Sequence, residues 1–292
     1  MVSDSSPSQP AYECLRQAGL DVLLPSDETY MIRQESYFSK TASQLAPACI
    51  VRPSSAAQVS IAIRVLAESR YPFAIRSGGH APNAGASNIE GGVTLDLGLL
   101  NWTKLETVRE SDGIVNGHGA EETPMVVDIG PGARWADVYA SLHPHNLVVA
   151  GGREGGVGVG GLILGGGNTY FTASQGFACD NVVAFEVVLA PDGRIVTATA
   201  DNMYADLFWA LRGGGNNFGV VTNFRMKALK GGSRVWGGLT LIPSQATPLA
   251  AQALVDFTSR VHEDVDSNLL CFFAYRGKSL LELAEFQGRD RC

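Results

Sequence analysis

The sequence predicts a globular protein that mixes α-helices with β-strands, and three observations lead to this prediction. The chain has 292 residues, 45% of them hydrophobic, which is enough apolar material for a substantial core. Apolar residues recur at helical spacing in several stretches. Short apolar runs that end at glycine or proline alternate with these stretches, and such runs are typical of buried strands.

The first clear elements are a helix over residues 55–69 and a strand over residues 73–76. Val59, Ala62, Ile63 and Leu66 follow the spacing of one helix face, and Ser55 is a suitable N-cap. Tyr71-Pro72 ends the helix, because proline removes a backbone donor. The strand runs directly into a loop with the sequence Arg-Ser-Gly-Gly-His.

The remaining elements follow by the same criteria, whereas residues 1–11 read as a loose tail and the stretch to residue 46 as mixed. Strands are predicted at 93–97, 125–129, 147–150, 182–190, 194–197 and 219–228, and helices at 135–142 and 203–212. Pro191-Asp192-Gly193 favours a hairpin turn. After a glycine-rich linker near residue 230, strands are predicted at 235–241, 269–275 and 280–286, and a helix at 247–262.

Composition argues against several classes of function. The 22 basic and 29 acidic residues give a net charge of −7, which disfavours nucleic acid as a partner. The polar N-terminus does not resemble a secretory signal, and no apolar run is long enough for a membrane helix, so we expect a cytoplasmic protein without a membrane partner. The five cysteines have no metal-ligand spacing, so no metal is expected, and a bridge between Cys14 and Cys49 stays open.

Two glycine clusters stand out, at residues 77–79 and 151–167. Glycine lets a backbone approach a ligand closely, and successive N–H groups can then converge on an anion such as a diphosphate. A flexible surface loop is the alternative interpretation. Residues 156–161 also match the dinucleotide pattern Gly-x-Gly-x-x-Gly, with Asp180 further on, but that pattern requires a helix. We expect no helix at Leu162-Ile163-Leu164, which argues against a nicotinamide-binding fold.

His80 closes the first glycine loop, where it is either an ordinary loop residue or a functional group. The order of segments favours function. The chain has Arg-Ser-Gly-Gly-His at 76–80, Asp-Ile-Gly-Pro-Gly-Ala-Arg-Trp at 128–135, Val-Gly-Val-Gly-Gly at 157–161, Gly-Phe-Ala-Cys-Asp-Asn-Val-Val at 176–183 and a long motif at 206–222. This series closely resembles the berberine-bridge-enzyme-like branch of the vanillyl-alcohol-oxidase family.

The resemblance implies an α+β fold in which a two-lobed FAD-binding domain of the PCMH type precedes a substrate domain built on an antiparallel sheet. We expect an N-terminal segment at residues 1–40, the FAD-binding domain at 41–230 and an incomplete substrate domain at 231–292. Relatives are longer, and the part of them that holds the catalytic base has no counterpart here. No catalytic base is therefore nominated; Tyr170 either faces the pocket or packs.

The resemblance further implies FAD as cofactor, joined through His80 to the 8α carbon of the flavin. Many relatives have a second link through a cysteine three residues before the Val-Gly-Val-Gly-Gly run, where this chain has Glu154. A single link is therefore expected. The cofactor-binding residues that it implies are Arg76, Ser77, Gly78, Gly79, His80, Val157, Gly158, Gly160, Gly161, Asp180, Asn181, Val182, Gly219, Val220 and Val221.

The implied activity is that of an FAD-linked oxidoreductase that removes hydride from a small organic substrate in fungal-type secondary metabolism. Val157 falls where relatives with valine tend to admit O2, which favours an oxidase that uses O2 as its second substrate. Two alternatives stay open: a catalytically impaired FAD-binding protein, and a cyclase that uses the flavin scaffold without redox chemistry.

Overall fold

A computed structural model describes residues 9–107, 125–231 and 235–272. The chain divides into two compact units, Met1–Gly237 and Gly238–Cys292. The predicted strand at 280–286 and the end of the one predicted at 269–275 lie outside the described residues.

Helices and short strands alternate along the first unit, and the described part of the second unit contains the last helix in the chain order below. The helices are α1 Ala11–Gln17, α2 Glu28–Glu35, α3 Lys40–Ser43, α4 Ala56–Glu68, α5 Trp135–Leu142, α6 Val159–Leu164, α7 Thr172–Gln175, α8 Ala205–Leu211 and α9 Thr247–Arg260. The strands are β1 Val22–Leu23, β2 Cys49–Val51, β3 Phe73–Arg76, β4 Val93–Asp96, β5 Thr103–Thr107, β6 Met125–Ile129, β7 Leu147–Val148, β8 Val182–Val188, β9 Ile195–Ala198, β10 Val220–Lys227 and β11 Leu229–Lys230.

The first lobe is built on a four-stranded sheet in the order β1-β2-β4-β3. Strands β2, β3 and β4 are parallel, and β1 joins the edge in the antiparallel direction. The apolar face of α4 is buried against this sheet together with Leu15 of α1. The hydroxyl of Ser55 accepts a hydrogen bond from the backbone of Gln58, which is the N-cap that the sequence predicts.

The second lobe is built on a five-stranded antiparallel sheet in the order β5-β6-β10-β8-β9. Trp135 and Val138 of α5, Ile163 of α6 and Phe208 of α8 are buried against it in the larger core cluster. Helix α4 contacts both lobes, because it also packs against β8, β9 and β10. Its Ser60 hydroxyl donates to the backbone of Gly193, which fixes the predicted hairpin turn onto the helix. The mixed α+β class is thus confirmed.

Several sequence predictions are wrong, and their failures share a cause. A helix, α6, does form at Val159–Leu164 in spite of its glycines, because Val159, Ile163 and Leu164 are buried in the core. Helices α1, α2 and α3 occupy the stretch that the sequence left undefined. Residues 235–241 form no strand, since a strand needs a hydrogen-bonded neighbour and this segment is exposed without one. In each case tertiary context overrides local pattern.

Cys14 and Cys49 do not form the bridge that the sequence left open, and both are free thiols. Among the described helices, none combines the length and apolar character that crossing a bilayer would require.

Candidate functional site

A cavity of about 380 Å³ lies in the first unit, between the loop after β3, helix α6 and the start of β10. Most of the residues that the sequence singled out surround it. Those that line the cavity are Ser77, Gly78, Gly79, His80, Val157, Gly158, Gly160, Gly161, Gly219, Val220 and Val221. Two glycine-rich segments that are about eighty positions apart therefore form one site.

The two glycine segments pack backbone against backbone. A Cβ atom added at Gly78 would lie 2.6 Å from the Cα of Gly158, and one added at Gly158 would lie 2.4 Å from the nitrogen of Gly78. No side chain fits at either position. Arg134 joins the segments, since its guanidinium donates to the carbonyl oxygens of both Gly78 and Gly156. The hydroxyl of Ser77 donates to Pro131, 2.5 Å away.

The cavity wall offers unused hydrogen-bond donors to a ligand. In the described part of the chain, the backbone N–H groups of Gly78, Gly79 and His80 have no acceptor. Ser87 is one of the residues that line the cavity, and its hydroxyl is buried without a hydrogen-bond partner in the described part of the chain. Buried polar groups rarely stay unpaired, so this arrangement fits an anionic, oxygen-rich ligand such as the diphosphate and ribityl chain of FAD.

Helix α6 presents open space to the same cavity. A Cβ atom added at Gly161 would have nothing within 4 Å, and Gly161 is exposed to the cavity. A flat group such as an aromatic ring system could approach the backbone closely there.

Ser87 is a residue that sequence reasoning missed. Its only signal is the run of small residues Gly85-Ala86-Ser87 after the first loop.

His80 stands at the edge of the cavity, between two side chains. The ring of Phe38 stacks on the imidazole with a centroid separation of 3.9 Å and an interplanar angle of 14°. On another side, Nε2 of His80 lies 3.7 Å from a carboxylate oxygen of Glu154. The imidazole is partly exposed and is therefore accessible from the cavity.

Arg76 lies beneath the loop instead of facing the cavity. Its fully buried guanidinium donates to the carbonyl oxygen of Arg33 (2.6 Å) and the hydroxyl of Ser36 (2.8 Å). It also lies 3.7 Å from the ring centre of Tyr37. Burial raises the pKa of the Tyr37 hydroxyl to about 12. Through these contacts Arg76 connects the segment around α2 to the loop that carries His80. Gly79 of this loop has a positive φ of 70° and lies next to the Arg76 guanidinium.

Asp180, Asn181 and Val182 do not line the cavity. Asp180 pairs with Arg212 and accepts a hydrogen bond from the backbone of Phe177 (2.8 Å). The amide of Asn181 donates to two backbone oxygens of the same turn, and Val182 belongs to the core. These residues stabilise the segment that follows α7. Tyr170 is half exposed and is also absent from the cavity wall.

Within the described residues, no group of histidine, cysteine and carboxylate side chains could hold a metal ion. Burial raises the pKa of the Cys179 thiol, which makes it a poor nucleophile at neutral pH. In the described residues, the cavity wall offers a ligand backbone N–H donors and the imidazole of His80.

Comparison with known proteins identifies the family to which this chain belongs. A family model described as "FAD binding domain" matches residues 47–199, just over half of the chain. The FAD-dependent monooxygenase drtC of Aspergillus calidoustus is 44% identical over 262 residues, which cover 88% of this chain and 46% of that protein. The chain thus spans about half the length of this relative.

Solved structures show the same fold. Chitooligosaccharide oxidase superposes with a TM-score of 0.63 at 28% identity, over 75% of this chain and 43% of that one. Glucooligosaccharide oxidase of Acremonium strictum, described as carrying a 6-S-cysteinyl, 8α-N1-histidyl FAD, gives a TM-score of 0.64 at 26% identity, over 76% and 43%. The chain therefore belongs to the PCMH-type FAD-binding domain family, among the berberine-bridge-enzyme-like members of the vanillyl-alcohol-oxidase family.

Proposed function

We propose that this chain is the flavin-binding part of an FAD-linked oxidoreductase, with FAD in the glycine-lined cavity and one covalent bond to His80. The observation that carries the proposal is the position of His80 at the edge of the cavity. The backbone N–H donors of this cavity wall have no acceptor in the described part of the chain, and the chain belongs to an FAD-binding family. The residues that would bind the cofactor come from both glycine segments and from β10.

The backbone N–H groups of Gly78 and Gly79 would bind the diphosphate, and the hydroxyl of Ser87 would donate to a phosphate or ribityl oxygen. Gly158, Gly160 and Gly161 would lie against the ring system, and Gly219, Val220 and Val221 would line the adenosine half. Arg76, Asp180, Asn181 and Val182 would act indirectly, by holding the loops that make these contacts.

A single covalent bond follows from the residue at position 154. A carboxylate cannot form a thioether to the flavin ring, so Glu154 excludes the second link that a cysteine there would make. Mass spectrometry of tryptic peptides tests this proposal. We expect the peptide with His80 to gain the mass of one FAD and the peptide with Glu154 to stay unmodified.

Bound FAD would supply two-electron oxidation, and the chain would orient the cofactor and exclude water from it. The leading candidate is an oxidase that removes hydride from a small organic substrate and uses O2 as electron acceptor. Rapid reoxidation of the dithionite-reduced protein by O2, with one hydrogen peroxide per flavin and faster than free FAD, would support it. Reoxidation no faster than free FAD would count against it.

A second candidate is monooxygenation, which the name of the Aspergillus relative favours. Turnover under ¹⁸O2 separates the two, because a monooxygenase puts labelled oxygen into its product whereas an oxidase puts it into hydrogen peroxide. If flavin binds and neither reaction occurs with any candidate substrate, an impaired FAD-binding protein or a non-redox cyclase gains support.

A further inference from the structure

The imidazole of His80 is held from two directions by residues that are remote in sequence. Phe38 stacks on one face of the ring, and Glu154 lies 3.7 Å from Nε2. Neither contact follows from the glycine motif, since Phe38 belongs to the segment between α2 and α3, and Glu154 to the loop before α6.

The carboxylate of Glu154 is anchored, which gives its position near His80 a structural basis. One oxygen, Oε1, accepts a hydrogen bond from the backbone N–H of Gly156 at 2.9 Å. The other oxygen, Oε2, is the one that faces Nε2 of His80. An isolated exposed pair of this kind adds little stability, so its value lies in where it directs the imidazole.

Phe38 is anchored as well. Its backbone N–H donates to the carbonyl oxygen of Gly79 at 3.1 Å, so it is fixed to the loop that carries His80. The adjacent Tyr37 donates to the backbone oxygen of Ser87 at 2.9 Å. The ring of Phe38 is nevertheless 68% exposed. A large apolar side chain that is this exposed contributes little to the core, whereas its stacking restricts rotation of the imidazole.

We propose that Phe38 and Glu154 are positioning residues that prepare His80 for covalent attachment of FAD. Phe38 fixes the plane of the imidazole. At 3.7 Å the carboxylate of Glu154 is beyond hydrogen-bond distance of Nε2, and its negative charge there favours the tautomer with its hydrogen on Nε2, which leaves the lone pair of Nδ1 free to bond. This inference rests on the proposed single bond between His80 and the flavin, and it adds the residues that direct that bond.

The balance of the reaction gives Glu154 a second role. Nδ1 of His80 bonds to the 8α carbon, and that carbon and Nε2 each lose one hydrogen, since a substituted neutral imidazole carries no N–H. The two protons and two electrons reduce O2 to hydrogen peroxide. Glu154 faces Nε2 and is therefore placed to accept the proton that leaves it.

The first experiment follows covalent incorporation after flavin-free protein is mixed with FAD, by flavin fluorescence on denaturing gels. We expect Glu154→Gln to slow incorporation about 100-fold, because general-base assistance is lost, and Phe38→Leu to slow it about fivefold. Non-covalent FAD affinity should stay within about twofold of wild type. Matched controls are Glu68→Gln and Met203→Ala, two exposed positions outside the cavity wall, which should behave as wild type. Incorporation by Glu154→Gln at the wild-type rate would overturn the proposal.

The second experiment needs no flavin. ¹⁵N NMR of labelled flavin-free protein should show His80 with its hydrogen on Nε2 in the wild type and a mixture of tautomers in Glu154→Leu. Unchanged tautomers in that variant would overturn the positioning role. If the wild type never incorporates flavin covalently, the proposed bond fails and the positioning role fails with it, whereas incorporation by the wild type with unchanged tautomers and rates in the variants overturns the positioning role alone, so the two failures are distinguishable.

Discussion

Gly78 and Gly161 line the same cavity for different physical reasons. Gly78 faces the backbone of Gly158 and has no room for a Cβ atom, whereas Gly161 faces open space. We expect Gly78→Ala to separate the two glycine segments and to lower the free energy of unfolding by about 2 kcal/mol, in the range of overpacking. Urea denaturation of flavin-free protein measures this change.

Gly161→Ala serves as the matched variant. It should keep or raise stability, since alanine is favoured over glycine in a helix by up to about 1 kcal/mol, and yet weaken FAD binding about tenfold by filling the space where the ring would lie. Fluorescence titration with FAD measures the affinity. A Gly161→Ala protein with unchanged affinity would contradict the placement of FAD against α6.

Ser87 allows a test in which stability and binding move independently. Its buried hydroxyl has no partner, so Ser87→Ala should leave the flavin-free protein equally stable or slightly more stable. A hydrogen bond to a charged phosphate contributes about 1.5–3 kcal/mol, so FAD affinity should fall by about 10- to 100-fold. Thermal unfolding and flavin titration of the same sample give both values. Lost stability with unchanged affinity would mean that Ser87 is structural.

At the scale of single residues, the sequence predicts which loops form the candidate site better than it predicts which side chains meet there. The two glycine segments and His80 are evident because unusual composition marks them. Ser87 and Phe38 carry no such mark, since a serine in a turn and a phenylalanine between two helices are common. Their significance depends on burial without a partner and on stacking, both of which arise only when remote segments meet.

At the scale of elements, prediction succeeds where a regular pattern and packing agree. Strand β6 and helix α5 lie where the sequence places them, because their apolar residues face the core at the period of their own structure. Helix α6 contradicts its local propensity, since glycines occupy two of its positions. Its helical form depends on Val159 and Ile163, one turn apart, which are buried against the second lobe.

Strand β2 provides a prediction on pH dependence. Burial raises the pKa of the Cys49 thiol from 9.0 to about 11. The folded state therefore favours the neutral thiol. The neutral Cys49 thiol therefore makes its full contribution to the free energy of unfolding below pH 9, and this contribution is lost as the pH rises through 11.

Cys49→Ala should thus be less stable than wild type at pH 7 by about 1 kcal/mol, because it leaves a small cavity. The variant lacks the thiol whose ionisation the folded state disfavours. Between pH 7 and pH 11 the free energy of unfolding of the wild type should therefore fall by about 2 kcal/mol more than that of the variant. Urea denaturation of both proteins at pH 7, 9 and 10.5 follows this difference. A constant difference across these values would show that the thiol ionises freely in the folded protein.

At the scale of the whole molecule, the two units differ in burial. The first unit has two extensive apolar clusters, whereas neither its last described residues, 235–237, nor the described part of the second unit, 238–272, contains a buried side chain. Val235 and Trp236 are 83% and 98% exposed. Such segments open readily and are preferred sites of proteolysis.

Limited proteolysis of the intact chain should therefore cut first within residues 235–272 and leave a resistant fragment that ends near Gly231. Addition of FAD should slow any cleavage of the first unit and leave cleavage at 235–272 unchanged, because all residues of the cavity wall belong to the first unit. Early cleavage within residues 125–231 would contradict this division of the chain.

The central claim is that the imidazole of His80 forms the covalent bond to FAD, and acid precipitation tests it most directly. Wild-type protein and His80→Ala are incubated with FAD, precipitated with acid and washed, and flavin fluorescence is measured on the polypeptide. We expect fluorescence to remain with the wild type, on the peptide that contains His80, and to be washed from His80→Ala. Flavin that washes from both proteins, or that stays bound to His80→Ala, would contradict the account.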